Sequence, residues 1–76
     1  MNVRFLEAFV WVARLGSFRA AAEKLHTTQA GISSRIATLE EQFGVRLFDR
    51  EHRSVLLTRH GTQLMPHAER MMELQV

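Results

Sequence analysis

Along the 76 residues, apolar positions recur at helical spacing in four stretches and switch to a shorter period in one. Phe5, Leu6, Phe9, Val10, Val12 and Ala13 give a first helix a wide apolar face, which Asn2 can cap and Gly16 can end. Ser17 is a second N-cap candidate. Phe18, Ala21, Ala22 and Leu25 follow at helical spacing and predict a helix of about two turns, whose Ala20, Ala21 and Ala22 invite close helix contact. His26 and Thr27 form a tight break, after which Thr28 caps a third helix with Ile32, Ile36, Leu39 and Phe43 on one stripe and Gly44 at its end. Beyond it Val45, Leu47, Val55 and Leu57 alternate with Arg46, Phe48, Leu56 and Thr58 around the polar stretch 49–54, which predicts a small hairpin. Its turn lacks the Asn-Gly or Asp-Gly pair of the tightest hairpins. Thr58 caps a fourth helix with Leu64, Ala68, Met71 and Gln75 on one row and Met65, Ala68, Met72 and Val76 on the next. Pro66 lies inside it and should kink the helix rather than end it, because the apolar pattern continues past it. No stop signal precedes Val76, so the helix is expected to run on past the end of this chain.

Two helices joined by a tight break, the second opening with small polar residues, make the pattern of a helix-turn-helix. At 100° per residue, Ile32, Ile36, Leu39 and Phe43 cluster within about 60°. Ala30, Ser34, Ala37 and Glu41 lie on the far side, flanked by Gln29 and Ser33. The outward face of the first two turns is therefore small and polar. Such a face lets a helix settle into a major groove, where Gln29 can pair with adenine and Ser33 or Ser34 with a base edge or phosphate. A helical bundle with a hydrophilic exposed face has the same pattern. Gly31 costs on the order of 1 kcal/mol relative to alanine, for which a close approach by the preceding helix or by DNA is a reason.

Composition narrows the choice. A 46% hydrophobic chain of this length supports one domain, and 24% charged residues with four glycines and one proline exclude disorder as the default. Without cysteine there is no disulfide scaffold, Cys-ligated metal or thiol nucleophile. No apolar run approaches the roughly 20 residues of a membrane span, and the start lacks a signal-peptide core. The net charge of +2 is uninformative, but nine of the ten basic residues are arginine, suited to phosphate and guanine. Arg46, Arg50, Arg53 and Arg59 lie close together with only Asp49 and Glu51 between them, which a solvated charged surface would also explain. His26, His52, His60 and His67 lack metal-ligand spacing, and Ser33, Ser34, His60 and Glu69 form no nucleophile arrangement, so neither a metal site nor an enzyme is expected. Trp11 reads as core or interface packing. Met65, Met71 and Met72 read as a dimer seam rather than a promiscuous peptide groove.

The run FVWVARLGSFRAAAEKLHTTQAGISSRIATLEEQFGVRLFDR, followed by Leu57, Thr58 and Gly61, resembles the N-terminal winged helix-turn-helix of LysR-type transcriptional regulators. The shared elements are Gly16-Ser17-Phe18, Ala21-Ala22, Leu25, Gln29, Ser33, Ile36, Leu39-Glu40, Gly44, Leu47-Phe48 with Arg50, and the Thr58 helix start, over nearly the whole chain. The resemblance implies a mainly α fold, a three-helix core with a small β-hairpin wing over residues 1–58, and a linker or dimerisation helix over 59–76. It further implies a recognition helix from Thr28 to Phe43 in the major groove of double-stranded DNA and a wing on the minor groove or backbone. By position, Thr28, Gln29, Ala30, Ser33 and Ser34 would meet bases or phosphates, with Arg50 and Arg53 in the wing. Ala30 stands where the family often has proline, and Ser34, Ala37 and Thr38 where it often has basic residues, so Arg35 would supply some of the missing charge. By their helical spacing in a domain with little surplus core, Leu64, Met65, Ala68, Met71 and Met72 would form the interface of a homodimer, or part of a tetramer in the full-length protein; the alternative is that this stripe packs back on the first helix. No cofactor is implied for this domain, since a small-molecule effector would act through a C-terminal domain that this chain does not contain, and a cytoplasmic, membrane-free location follows. A helical protein-interaction module is the alternative. DNA binding should weaken steeply with salt, whereas docking in an apolar groove should not.

Overall fold

The computed structural model describes residues 3–51 and 54–74. Among these residues are four helices, α1 (Val3–Leu15), α2 (Phe18–Lys24), α3 (Gln29–Phe43) and α4 (Arg59–Glu73), with a hairpin of β1 (Phe48–Asp49) and β2 (Leu56–Leu57) between the last two. Three hydroxyls start three of the helices. Ser17 Oγ accepts from the Ala20 N–H at 3.0 Å, Thr28 Oγ1 from Gly31 at 2.9 Å and Thr58 Oγ1 from Gly61 at 3.1 Å. Each cap satisfies a backbone donor that the first turn would otherwise leave orphaned. Asn2, expected to cap α1, lies outside the described residues. Gly44 ends α3 in the left-handed conformation at φ +68°, with the Val45 N–H reaching back to the Glu40 carbonyl. The break after α2 is made by His26, which takes φ +55°, while the Thr27 N–H closes on the Ala22 carbonyl at 2.9 Å.

The core draws on every helix and on β1. Leu6, Phe9, Val10 and Val12 of α1, Ala21 and Ala22 of α2, and Ile32, Ile36 and Leu39 of α3 are buried around Phe48. The Phe48 ring lies 5.4 Å from Phe9 and meets Phe18 edge-on at 5.9 Å, so the first strand of the wing is rooted between α1 and α2. Trp11, half-buried on α1, carries Lys24 Nζ at 4.6 Å and the Arg14 guanidinium at 5.1 Å from its ring centre. It is a packing residue.

Two expectations change. Phe43 belongs to the apolar stripe of α3 by spacing but is 41% exposed. As the last residue of the helix it sits at a groove whose α4 side is His60, Gln63, Leu64 and His67, which leaves its ring only partly covered. The hairpin is also shorter than the alternation suggested, pairing only Phe48 with Leu57 and Asp49 with Leu56. Adjacent Leu47 and Phe48 are both buried, because Leu47 precedes the ladder and gives its N–H to the Glu40 carboxylate.

The fourth helix runs unbroken through Pro66 and packs along α1, where Gly61 and Ala68 are buried and Met65 and Met72 are partly buried against the core. Arg14 Nη2 also donates to Glu69 Oε2 at 2.8 Å between these helices; exposed as it is, the pair is worth at most about 1 kcal/mol. Thr58 joins wing and helix. Its N–H donates to the Leu47 carbonyl at 3.0 Å and its hydroxyl to the Arg46 carbonyl at 2.6 Å.

Candidate nucleic-acid interface

The first two turns of α3 present Thr28, Gln29, Ala30 and Ser34 exposed, with Ser33 and Arg35 half-buried at the flanks. Gly31 lies inside this stretch, and a Cβ there would meet Thr27 Oγ1 at 3.0 Å and Thr28 Oγ1 at 3.1 Å. Its close neighbours are therefore the hydroxyls of the turn, not helix α2 as the sequence reading allowed.

Gln29 and Ser33 share a groove of about 530 Å³ with Ser17 and Arg19 at the start of α2 and with Arg50 and Val55 of the wing. Three residues expected in the site, Gln29, Ser33 and Arg50, are thus brought together. Thr28, the cap of α3, and Ala30, Ser34 and Arg35 on that helix lie outside this groove, and Arg53 lies outside the described residues. Arg50 is held on two sides. Its guanidinium carbon is 4.4 Å from the Phe18 ring centre, and its Nη2 is 3.9 Å from Glu40 Oε1. Arg19 sits 3.5 Å from Glu23, both well exposed, so this pair leaves the cation available to an anion.

Sequence reasoning saw Ser17 only as a cap and assigned Arg19 and Glu40 no role. A signal for Glu40 existed. On the helical wheel it falls between Gln29 and Ser33, on the flank that turns toward the groove. The arrangement offers hydrogen-bonding groups and cations along one helix face and the adjoining wing, and among the described residues no nucleophile, base and orienting group lie in reach of one another. It suits recognition without covalent chemistry.

A helix pair joined by a tight turn, the second helix outward-facing and polar, beside a two-stranded hairpin, defines a winged helix-turn-helix DNA-binding domain. Residues 3–62 match the model of the bacterial regulatory helix-turn-helix proteins of the lysR family, and the chain belongs to that family. Its members are regulators, not enzymes. The chain is 50% identical over 74 residues to an HTH-type transcriptional regulator of Azotobacter vinelandii encoded in an ibpB–leuC intergenic region, covering 97% of this chain and 51% of the relative. It is 43% identical over 72 residues to the HTH-type transcriptional regulator HdfR of Escherichia coli O139:H28, covering 95% of this chain and 26% of that protein. A crystal structure of the CbnR DNA-binding domain in complex with DNA superposes with a TM-score of 0.92 at 39% identity, covering 99% of this chain and 86% of that one. The chain thus spans between about a quarter and about half the length of these two relatives.

Proposed function

We propose that this chain binds a specific duplex DNA sequence as a homodimer, with α3 in the major groove and the wing on the minor groove or backbone. The observation that carries the reading is the groove shared by Gln29, Ser33 and Arg50, which sets a base-reading amide, a small hydroxyl and a planar cation side by side. Ala30 and Ser34 add little bulk, which lets the helix axis approach the base edges. The full-length regulator acts in the bacterial cytoplasm and answers a small-molecule effector through residues outside this chain. Among the described residues no helix is long and apolar enough to cross a membrane.

Pairing through α4 has support in the row His60, Leu64, His67, Met71 and Leu74, exposed except for half-buried Leu64, whose 4-3-4-3 spacing is that of a helix seam. Met71 is 45% and Leu74 80% exposed, an apolar stripe that the chain itself leaves in water. The sequence reading placed Met65, Ala68 and Met72 in this interface as well. Ala68 is completely buried inside the chain's own core, and Leu64, Met65 and Met72 pack partly against it, so of the five Met71 is the exposed one; Leu64 stays in the proposed seam through the open groove it lines with His60 and His67.

Selection from a random duplex pool, followed by titration of the enriched duplex at several salt concentrations, tests the reading. An enriched sequence bound with a steep negative salt slope is expected. Binding without sequence preference, or affinity indifferent to salt, rejects it, the latter in favour of a protein-docking module.

A further inference from the structure

Glu40 does not line the groove but reaches it through Arg50, and its placement is unusual for an acid beside a surface proposed to meet DNA. The Glu40 side chain is only 11% exposed, and a carboxylate so enclosed needs partners. It has four. Oε2 accepts from the Leu47 N–H at 2.8 Å and the Phe48 N–H at 3.4 Å, Arg46 Nε lies at 3.7 Å, and Arg50 Nη2 lies 3.9 Å from Oε1. A glutamine amide would still offer the two backbone donors an oxygen, with weaker bonds than the charged carboxylate gives. Beyond those stronger bonds, the negative charge adds a hold on the two arginines.

Of these, Arg50 matters more to the groove. Its plane is already set on one side by the Phe18 ring at 4.4 Å, and Phe18 in turn meets Phe48 edge-on. Phe18 belongs to α2, Glu40 to α3 and Arg50 follows β1, so the guanidinium is fixed by both helices of the helix-turn-helix at once. An arginine left free would have to lose its rotamer freedom on meeting DNA, whereas one held in advance binds without that cost.

We propose that Glu40 is a positioning residue for DNA recognition, holding the Arg50 guanidinium beside Gln29 and Ser33 so that wing and recognition helix meet the duplex as one rigid surface. This rests on the DNA-binding reading above. It makes a prediction opposite in sign to simple electrostatics. Glu40→Gln keeps an acceptor for the Leu47 and Phe48 N–H groups and removes one negative charge from a chain of net charge +2. Charge alone would make every duplex bind more tightly.

The test uses the duplex enriched by the native chain from a random pool and a scrambled duplex of equal length, with folding followed by circular dichroism. Glu40→Gln should lose roughly tenfold in affinity for the enriched duplex while the scrambled duplex binds as well as before or better. Arg50→Lys, which keeps the charge but not the planar fork, should show the same selective loss. If the native chain enriches nothing, the DNA-binding reading itself falls. If it enriches a sequence that Glu40→Gln binds undiminished, or if both duplexes weaken equally, the positioning role is overturned. Should Glu40→Gln fail to fold, Arg50→Lys decides alone, and full affinity for the enriched duplex overturns the proposal.

Discussion

Gly61→Ala sets two effects of opposite sign against each other at the base of the wing. In a helix interior alanine is favoured over glycine by about 1 kcal/mol, so propensity alone predicts a more stable protein. The structure predicts the reverse. A Cβ at Gly61 would overlap the Leu47 carbonyl oxygen and approach Leu57 Cδ2 to 2.8 Å. The leucine side chain can move aside, but the carbonyl is backbone and is already bound by the Thr58 N–H at 3.0 Å. Relief therefore requires α4 to shift away from the strand, weakening that bond and opening the contacts of buried Leu47 and Phe48. Overpacking of this kind costs about 1–3 kcal/mol and a weakened hydrogen bond about 1 more, which outweighs the propensity gain by about 1–3 kcal/mol. In a domain this small, each kcal/mol moves the melting temperature by roughly 4–8 °C, so a fall on the order of 5–20 °C is expected. Thermal unfolding followed by circular dichroism measures it, with Gly31→Ala as the control. At Gly31 the neighbours are two side-chain hydroxyls at 3.0 and 3.1 Å, which can give by a few tenths of an ångström, and little change is expected. A Gly61→Ala variant that melts at or above the native temperature would refute the close-packing argument.

Gln29→Ala should cost about 1–3 kcal/mol on the enriched duplex and hardly alter binding to random sequence, as paired titrations would record; equal losses on both would remove Gln29 from the base readers. Arg53→Ala, in the polar stretch 49–54 of the sequence, should weaken binding to all duplexes and lower the magnitude of the salt slope by about one per subunit, and an unchanged slope would exclude a phosphate contact. Met71→Glu should yield a folded monomer in sedimentation, because the side chain is 45% exposed and its charge enters the proposed seam. Met72→Glu places the charge against the chain's own core and should lower the melting temperature instead; the opposite assignment of the two effects would show that the seam has been placed on the wrong face of α4.

What the chain determined by itself is what neighbouring residues decide among themselves. Ser17, Thr28 and Thr58 cap because a hydroxyl reaches an N–H three residues on, and Gly16 and Gly44 stop helices because they enter positive φ cheaply. The outward polarity of Gln29, Ala30 and Ser34 follows from a period of 3.6 residues, so the face proposed to meet DNA was legible before any packing was known. Tertiary structure decided matters that hang on residues distant in the chain. Met71 and Met72 are equally apolar neighbours, and only the position of α1 separates the covered one from the exposed one. Phe43 keeps the right spacing yet ends at an open groove, because period does not say how far the partner helices extend. The same limit hid what Gly61 and Glu40 touch. A glycine pressed on a carbonyl fourteen residues earlier, and a carboxylate closing over backbone donors seven and eight residues later, leave no local pattern, since both contacts form only once the wing folds back against the helices.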